Sequence, residues 1–551
     1  MALSGRGDSF LLPSFVSRIR VLIFELQRWS HTSARGFDST AVEDSDPRSL
    51  VRKGPFDPSC WKTVDSRTVG ISRSTISSPT WTVLKVLKRK GFEAYLVGGC
   101  VRDLLLKRIP KDFDVVTTAS LKQIKKQFHR CIIVGRRFPI CQVHVLGSIV
   151  EVCLSCQLQF QVSSFSTKNE YTEERQQLVC PEVSHSCDKK DILRWKNCMG
   201  RDFTINGLFF DPFDCTIYDY VNGISDIRTS KVSTVIPAHL SFKEDCARIL
   251  RGLRIVARLG FRFSKETATA IQDLSSSIIY LDKSRLLMEL NFMLAYGAAV
   301  SSIYLLQKYR LLPIFLPFHA AYLADQTKDE SNGRSNMLMR LFSSVDKLLA
   351  ADRPCDCALW LGLLAFHLAL VDHPQDSLVV WAFSSILYYG TWTTAIQFIR
   401  ENAKNSVQFV PETIVPSGTK SDELLMEEVS HLASLVKSSV YALTSLDTLH
   451  RFLARYQEPS SCLGLVFVSE KMGKNVSKLF DVLDTDIASY QKKRERYDIN
   501  YNLLKKGDPD ETRFAIGKII MDAMNDELSY RQTQSVTLKQ TSHPPLSSLF
   551  K

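Results

Sequence analysis

The sequence predicts an α+β protein in which a small mixed sheet with flanking helices is followed by an all-α neck and body. Short apolar runs of strand length, broken by glycine turns, recur between Ala94 and Val152. From about Phe242 the apolar residues recur instead at helical spacing, through Leu253, Leu287, Leu305, Leu311 and the stretch 359–370. The 551 residues, 45% hydrophobic and 23% charged, suffice for two or three domains that each bury a core.

Taken in order, residues 1–45 open the chain with a stretch rich in Ser and Arg and poor in acids, and 15–24 suits a basic amphipathic helix. That composition predicts an organelle transit peptide, mitochondrial ahead of chloroplast; the bland alternative is a disordered extension of biased composition. Residues 46–78 are polar and aperiodic and are expected to be a linker. Ser78 as N-cap, Pro79 at the first helical position, apolar Trp81, Leu84 and Leu87, and Gly91 past the end then spell a helix. Ala94–Val97 is expected as a strand, Gly98 and Gly99 as a tight turn, and 101–106 as a short helix. A further strand runs from Asp112 through Val115 and Val116, Ser120 caps a helix ending near Phe128, and 131–134, 140–146 and 149–152 are three more strands. The expected domains are the sheet domain at 79–236, a helical neck at 237–317, a helical body at 318–530 and a loose tail at 531–551.

A net charge of +12 suits a polyanionic partner, because each phosphate contact releases counterions, although many basic proteins bind nothing acidic. No uninterrupted apolar run is long enough to span a bilayer, which argues against a membrane-embedded protein. The 14 cysteines are scattered, and the CxxC of Cys153 and Cys156 has no second CxxC or His pair to complete a zinc site, so reduced thiols are expected. Nothing in the sequence calls for an obligate protein partner.

The chemistry concentrates in Gly98-Gly99-Cys100-Val101-Arg102-Asp103 and Lys111-Asp112-Phe113-Asp114. Adjacent glycines let the backbone approach a triphosphate, and the following helix start offers N–H groups to it. Arg102 and Lys111 add positive charge for the same phosphates. Asp112 and Asp114 are two apart, so on a strand both carboxylates share one face. A pair so aimed suits Mg2+, a hard ion held by one or two carboxylates plus substrate phosphates. Each piece alone is also what a structural turn and a solvated acidic loop look like.

In strand, turn, helix, strand order the combination resembles the head domain of class II CCA-adding enzymes and bacterial poly(A) polymerases. The resemblance implies a nucleotidyltransferase head, ATP as substrate, RNA 3′ ends of mRNA or tRNA as acceptor, and a two-metal transfer in which Asp112 and Asp114 hold magnesium. Glu151 resembles the family's third acidic residue. Arg201-Asp202-Phe203-Thr204-Ile205-Asn206-Gly207 resembles the ribose-sensing motif, so Asp202 inherits the sugar and Arg201 and Asn206 join the nucleotide site; without the family, Asp202 reads equally as an N-cap. Gly200 stands where the family usually has another arginine. The run from Asp219 to Asp226 resembles the hinge between head and neck, with Gly223 expected to take a positive φ.

Glu244-Asp245-Cys246-Ala247-Arg248 resembles the EDxxR motif that reads the base. Asp245 and Arg248, three apart on a helix, would accept from an exocyclic amine and donate to a ring nitrogen, which admits adenine and cytosine; the alternative is a surface ion pair. Arg251, Arg254 and Arg258 continue at helical spacing as a basic stripe suited to RNA phosphates or to a solvated face. Residues 133–140 resemble the GRRF-type signature of the bacterial poly(A) polymerases, with Arg136 and Arg137 at a hairpin tip near RNA. After Val152 the family pattern breaks, and 153–161 has the look of an insertion. Towards the C-terminus, Lys492, Lys493, Arg494 and Arg496 alternate with Tyr490, Tyr497 and Tyr501, a pattern that suits either an RNA grip or a solvated helix.

The activity these motifs imply is template-independent addition of AMP from ATP, with release of pyrophosphate. Completion of tRNA CCA ends is the first alternative. An RNA-binding homologue with impaired catalysis, suggested by Gly200 and the insertion, is the second.

Overall fold

A computed structural model describes residues 58–134, 140–154, 188–326, 336–402, 409–414, 420–448, 464–465, 467–484, 487–492, 494 and 496–525. The described residues divide into two compact units, with the boundary between Leu274 and Ser275.

The first unit is built on an eight-stranded sheet in the order β1-β8-β7-β2-β3-β6-β5-β4. The strands are β1 (Lys62–Asp65), β2 (Ala94–Val97), β3 (Asp114–Thr117), β4 (Cys131–Val134), β5 (Ile140–Val145), β6 (Ser148–Leu154), β7 (Phe209–Asp211) and β8 (Thr216–Asp219). β3 and β6 run parallel and every other neighbouring pair is antiparallel. The sheet is therefore mixed, as expected from the sequence. It is also wider than expected: β1 lies in the segment read as a linker, and β7 and β8 were not anticipated. These strands have three or four residues, too few to establish a period of two.

α1 (Ser78–Arg89) buries Val83, Leu84 and Leu87. Its N-cap is Ser77, which accepts from the Thr80 N–H, so the cap falls one residue before the expected Ser78. α2 (Gly99–Leu105) follows the glycine turn, and α3 (Leu121–Gln127) opens on a full capping box between Ser120 and Gln123. α4 (Lys189–Met199) places Trp195, Cys198 and Met199 against Tyr95, Val97, Val116 and Phe209 of the sheet. Arg194 on the same helix is buried but satisfied: it donates to the Tyr220 and Tyr95 hydroxyls at 2.6 and 2.8 Å and stacks 4.0 Å from the Tyr218 ring centre.

Three expectations about this region change. β6 continues through Cys153 and Leu154, so the first residues of the supposed insertion are sheet, and 155–161 lies outside the described residues. Cys131 and Cys141 are joined in a disulfide, because β4–β5 pairing brings their Cα atoms to 6.2 Å. At the hinge the positive φ belongs to Asn222, at 60°. Gly223, at the start of α5 (Gly223–Arg228), is there for space, since a Cβ would land on the Thr204 carbonyl oxygen.

α6 (Ala238–Glu244), α7 (Ala247–Leu259) and α8 (Lys265–Leu274) complete this unit, which extends well past the expected domain boundary at 236. Helical periodicity shows that a segment is helical but not which core it joins. Here β10 (Arg262–Phe263) pairs with β9 (Lys231–Val232), and Gly252 of α7 lies so close to the Phe203 ring that a Cβ would be 2.8 Å from it.

The second unit is helical, as its sequence predicts. The helix Cys357–Asp372 is buried almost all round and packs with Asp422–Thr444 and Pro509–Met524, and its Phe366 ring stacks on Phe383 of Ser377–Tyr389. In the basic, tyrosine-bearing segment Lys492 pairs with Asp510, Arg494 bonds Glu511 at 2.9 Å and lies 3.8 Å from the Phe514 ring centre, and the Tyr501 hydroxyl donates to Leu348 O, while Lys492, Arg496 and Tyr497 are exposed. Among the described residues no helix is long and apolar enough to cross a membrane. The expected transit peptide and C-terminal tail lie outside the described residues.

Candidate active site

Sheet register assembles the acidic residues. Val97, the last residue of β2, is opposite Asp114 at the start of β3, and Asp114 is in parallel register with Glu151 on β6. Gly98 then turns the chain away with φ 79° and ψ −138°, a conformation that favours glycine. A Cβ at this position would lie 2.9 Å from Arg201 Nη1 and 3.6 Å from Asp114 Oδ2, so the turn, the acid and the arginine meet at one point.

Burial raises the Asp114 carboxyl to about 6, and the negative charges of Glu151 and Asp112 push the same way against Arg201 and Arg251. Three acids thus share one electrostatic neighbourhood, with two guanidinium groups in the same field. Asp112 reaches it from a different place than expected. It lies in the exposed bend before β3, not on the strand, because β2 ends at Val97 and pairing starts only at Asp114.

This donor set suits magnesium, whose charge would relieve the repulsion among the acids, with Asp112 and Asp114 as its holders. Among the described residues no three His, Cys, Asp or Glu side chains are gathered as a ready-made metal cage. Magnesium is a hard ion that one or two carboxylates hold together with substrate phosphates. Gln142, which the sequence reading missed, faces Glu151 across the β5–β6 ladder and donates to its Oε1 at 3.1 Å. The hairpin register of 140–146 against 149–152 was the signal that would have found it.

Beside the turn, Arg102 donates to Asp103 Oδ1 through Nε and Nη2 and to Asn206 Oδ1 through Nη1 at 2.8 Å. Asn206 passes the connection on, its Nδ2 donating to Asp202 Oδ1 at 3.0 Å. That oxygen also accepts the Phe203 N–H at 2.8 Å, while Oδ2 accepts from Arg251 Nη1 at 3.1 Å. Burial alone would raise the Asp202 carboxyl, but Arg251 and these hydrogen bonds outweigh it and hold the group below the usual carboxylate range.

Asp245 and Arg248 are not on one helix. Asp245 terminates α6 in extended conformation and accepts the Ala247 N–H at 3.2 Å, and α7 begins after it. Arg248 Nη1 donates to Ser241 Oγ at 2.9 Å and Glu244 Oε2 at 3.0 Å, and Nη2 donates to Gly200 O at 3.2 Å. Gly200, the departure from the family pattern, contributes its backbone carbonyl to holding Arg248. Of the stripe on α7, Arg251 is drawn to Asp202, whereas Arg254 and Arg258 are half-buried further along the helix. Lys111 is exposed next to Asp112, and Arg136 and Arg137 lie outside the described residues.

Residues 94–233 match the poly A polymerase head domain, and residues 260–323 match the probable RNA and SrmB-binding site of polymerase A. The chain is 34% identical to poly(A) polymerase I of Escherichia coli O157:H7 over 338 residues, 61% of this chain and 69% of that protein. It is 32% identical to poly(A) polymerase I of Haemophilus influenzae over 281 residues, 51% of this chain and 60% of that one. Identity to the CCA-adding enzyme of Staphylococcus haemolyticus is 32% over 253 residues, 45% of this chain and 57% of that enzyme. Among solved structures, the Bacillus stearothermophilus CCA-adding enzyme in complex with CTP is 20% identical with a TM-score of 0.38, covering 74% of this chain and 93% of that one. On the sequence matches, the chain belongs to the nucleotidyltransferase family of poly(A) polymerase I and the CCA-adding enzymes.

Proposed function

We propose that this protein is a template-independent poly(A) polymerase that transfers AMP from ATP to RNA 3′ ends, of mRNA or tRNA, and releases pyrophosphate. The observation that carries this reading is the meeting of Asp114, Glu151 and Asp112 in one field beside the Gly98 turn. Asp112 and Asp114 would hold magnesium, which supplies charge stabilisation for the entering and leaving oxygens.

The remaining work falls to the chain. Gly98 and Gly99 bring backbone close to the triphosphate, with Arg102, Arg201 and Lys111 supplying positive charge around it. Gln142 steadies Glu151. Asp202, fixed by Asn206 and the Phe203 N–H, keeps an ionised carboxylate for the sugar. Asp245 and Arg248 read the adenine edge, Arg248 being pre-oriented by Ser241, Glu244 and Gly200 O. Arg254 and Arg258, with Arg136 and Arg137, would meet RNA phosphates. Mitochondrial residence is part of the proposal and rests on the Ser- and Arg-rich composition of 1–45.

The test offers the purified full chain ATP or CTP with generic RNA and with tRNA trimmed of its CCA end. A poly(A) polymerase extends diverse RNAs with ATP. Incorporation of CTP confined to trimmed tRNA would establish CCA addition instead, and RNA binding without pyrophosphate release would remove catalysis altogether.

A further inference from the structure

Cross-strand pairing carries a single row of residues from the glycine turn to the edge of the sheet. Val97 stands opposite Asp114, Asp114 opposite Glu151, Glu151 opposite Gln142, and Gln142 opposite Ile132. The outer end of this row is weakly held: β4 pairs with β5 alone, and Ile132, Ile133 and Val134 are 56%, 45% and 40% exposed, so little apolar burial keeps the strand in place. The Cys131–Cys141 disulfide sits at that end, its cysteines next in sequence to Ile132 on β4 and to Gln142 on β5. Cys141 is fully buried on the sheet face it shares with Val143 and Val152, whereas Cys131 is half-buried, so an attacking thiolate reaches the Cys131 sulfur. The two thiols in the field of Asp114 do not compete. Cys153 follows Val152 and so faces the other side of the sheet from Cys141, and burial raises both Cys153 and Cys100 to about 12.

We propose that Cys131 and Cys141 are a redox modification site that controls the rate of nucleotide transfer. Oxidised, the pair pins β4 beside β5 and keeps Gln142 donating to Glu151; reduced, it releases β4, opens the outer side of Gln142 to water, and leaves Glu151 without a fixed donor. The control rests on the proposed function, whereas the modification itself does not. The reductant is a small thiol of the glutathione class. Its thiolate attacks Cys131 Sγ, the S–S bond breaks, and the Cys141 thiolate leaves and takes up a proton. A second small thiolate then attacks the mixed disulfide and expels Cys131, which is protonated in turn. Two electrons thus pass to the cysteines, and the two small thiols depart as their own disulfide. Gln142 is a positioning residue, one strand removed from Asp114, so the effect of releasing it falls below the roughly 100-fold cost of a direct 1 Å misplacement, on the order of 10-fold.

The experiment equilibrates the full chain in glutathione buffers from fully reduced to fully oxidised, reads pairing by mass-tag alkylation, and measures single-turnover AMP incorporation at saturating RNA, ATP and magnesium. Wild type should pair Cys131 with Cys141 reversibly and lose about 10-fold in rate on reduction. Cys131→Ser, at the half-buried position, should stay at the reduced rate in every buffer, and Cys60→Ser, at an exposed cysteine elsewhere, should respond as wild type does. Gln142→Ala should be slow and indifferent to the buffer, because the donor through which the pair acts is gone. A general loosening of the sheet would instead slow oxidised and reduced Gln142→Ala to different rates, which would overturn the route through Glu151. Thiols that never pair, a pair that forms without changing the rate, or a response that survives in Cys131→Ser would each overturn the proposal. A wild-type protein that incorporates no AMP in any buffer removes the functional reading and the control with it, while alkylation still reports whether the pair forms, so the two failures are told apart.

Discussion

At the scale of single residues, two glycines hold the site for different reasons. Gly98 combines φ 79° and ψ −138° with a close approach to Arg201 and Asp114, so Gly98→Ala imposes both backbone strain and displacement of the arginine. We expect AMP incorporation to fall about 100-fold, the usual cost of ~1 Å misplacement, and the melting temperature to drop with it. Gly223→Ala meets rigid backbone at Thr204 and should destabilise the unit by about 1–3 kcal/mol, read as a lower denaturation midpoint at unchanged slope. Neither effect is visible in the motifs alone. The glycine pair announced close approach, but a sequence does not say which atom is approached, and the positive φ expected at Gly223 proved to be the neighbouring Asn222's.

Elements explain what was legible and what was not. The Ser120 cap and the strands from 131 to 152 were readable because capping and alternation are local patterns. β1, β7 and β8 were not, since a strand of three or four residues is defined by the neighbour it pairs with. The acids at 114 and 151 were both picked out, yet their meeting depends on parallel β3–β6 pairing, which spans 37 residues and leaves no local trace. The same limit hid Arg251: spacing put it on a basic stripe with Arg254 and Arg258, and only the packing of α7 beside Asp202 shows its partner. At element scale, Ser77→Ala removes the cap of α1 and should cost about 1 kcal/mol, whereas Ser78→Ala, inside the helix, should cost less. Chemical denaturation of the two variants side by side separates the positions.

For the whole molecule, the helical unit contains a group that makes stability depend on pH. Burial raises the Asp372 carboxyl to about 7, so between about pH 4 and 7 the folded chain binds more protons than the unfolded one. Stability contributed by this group therefore falls as pH rises through that window, and the penalty is complete above it. Asp372→Asn should exceed wild type in stability by about 2–4 kcal/mol at pH 8 and lose that advantage near pH 4; equal stability at pH 8 would show that the carboxylate is well solvated.

The proposed nucleotide chemistry rests on the acids gathered beside the Gly98 turn. The most direct measurement is single-turnover incorporation of AMP into RNA by the full chain with magnesium, comparing wild type with Asp112→Ala and Asp114→Asn of matched melting temperature. Extension by wild type with a rate reduced roughly 1,000-fold or more in both variants, the scale of losing a charge-stabilising group, is the predicted result. Undiminished incorporation by either variant would contradict the assignment of that carboxylate to the metal, and undiminished incorporation by both would place the chemistry elsewhere in the protein.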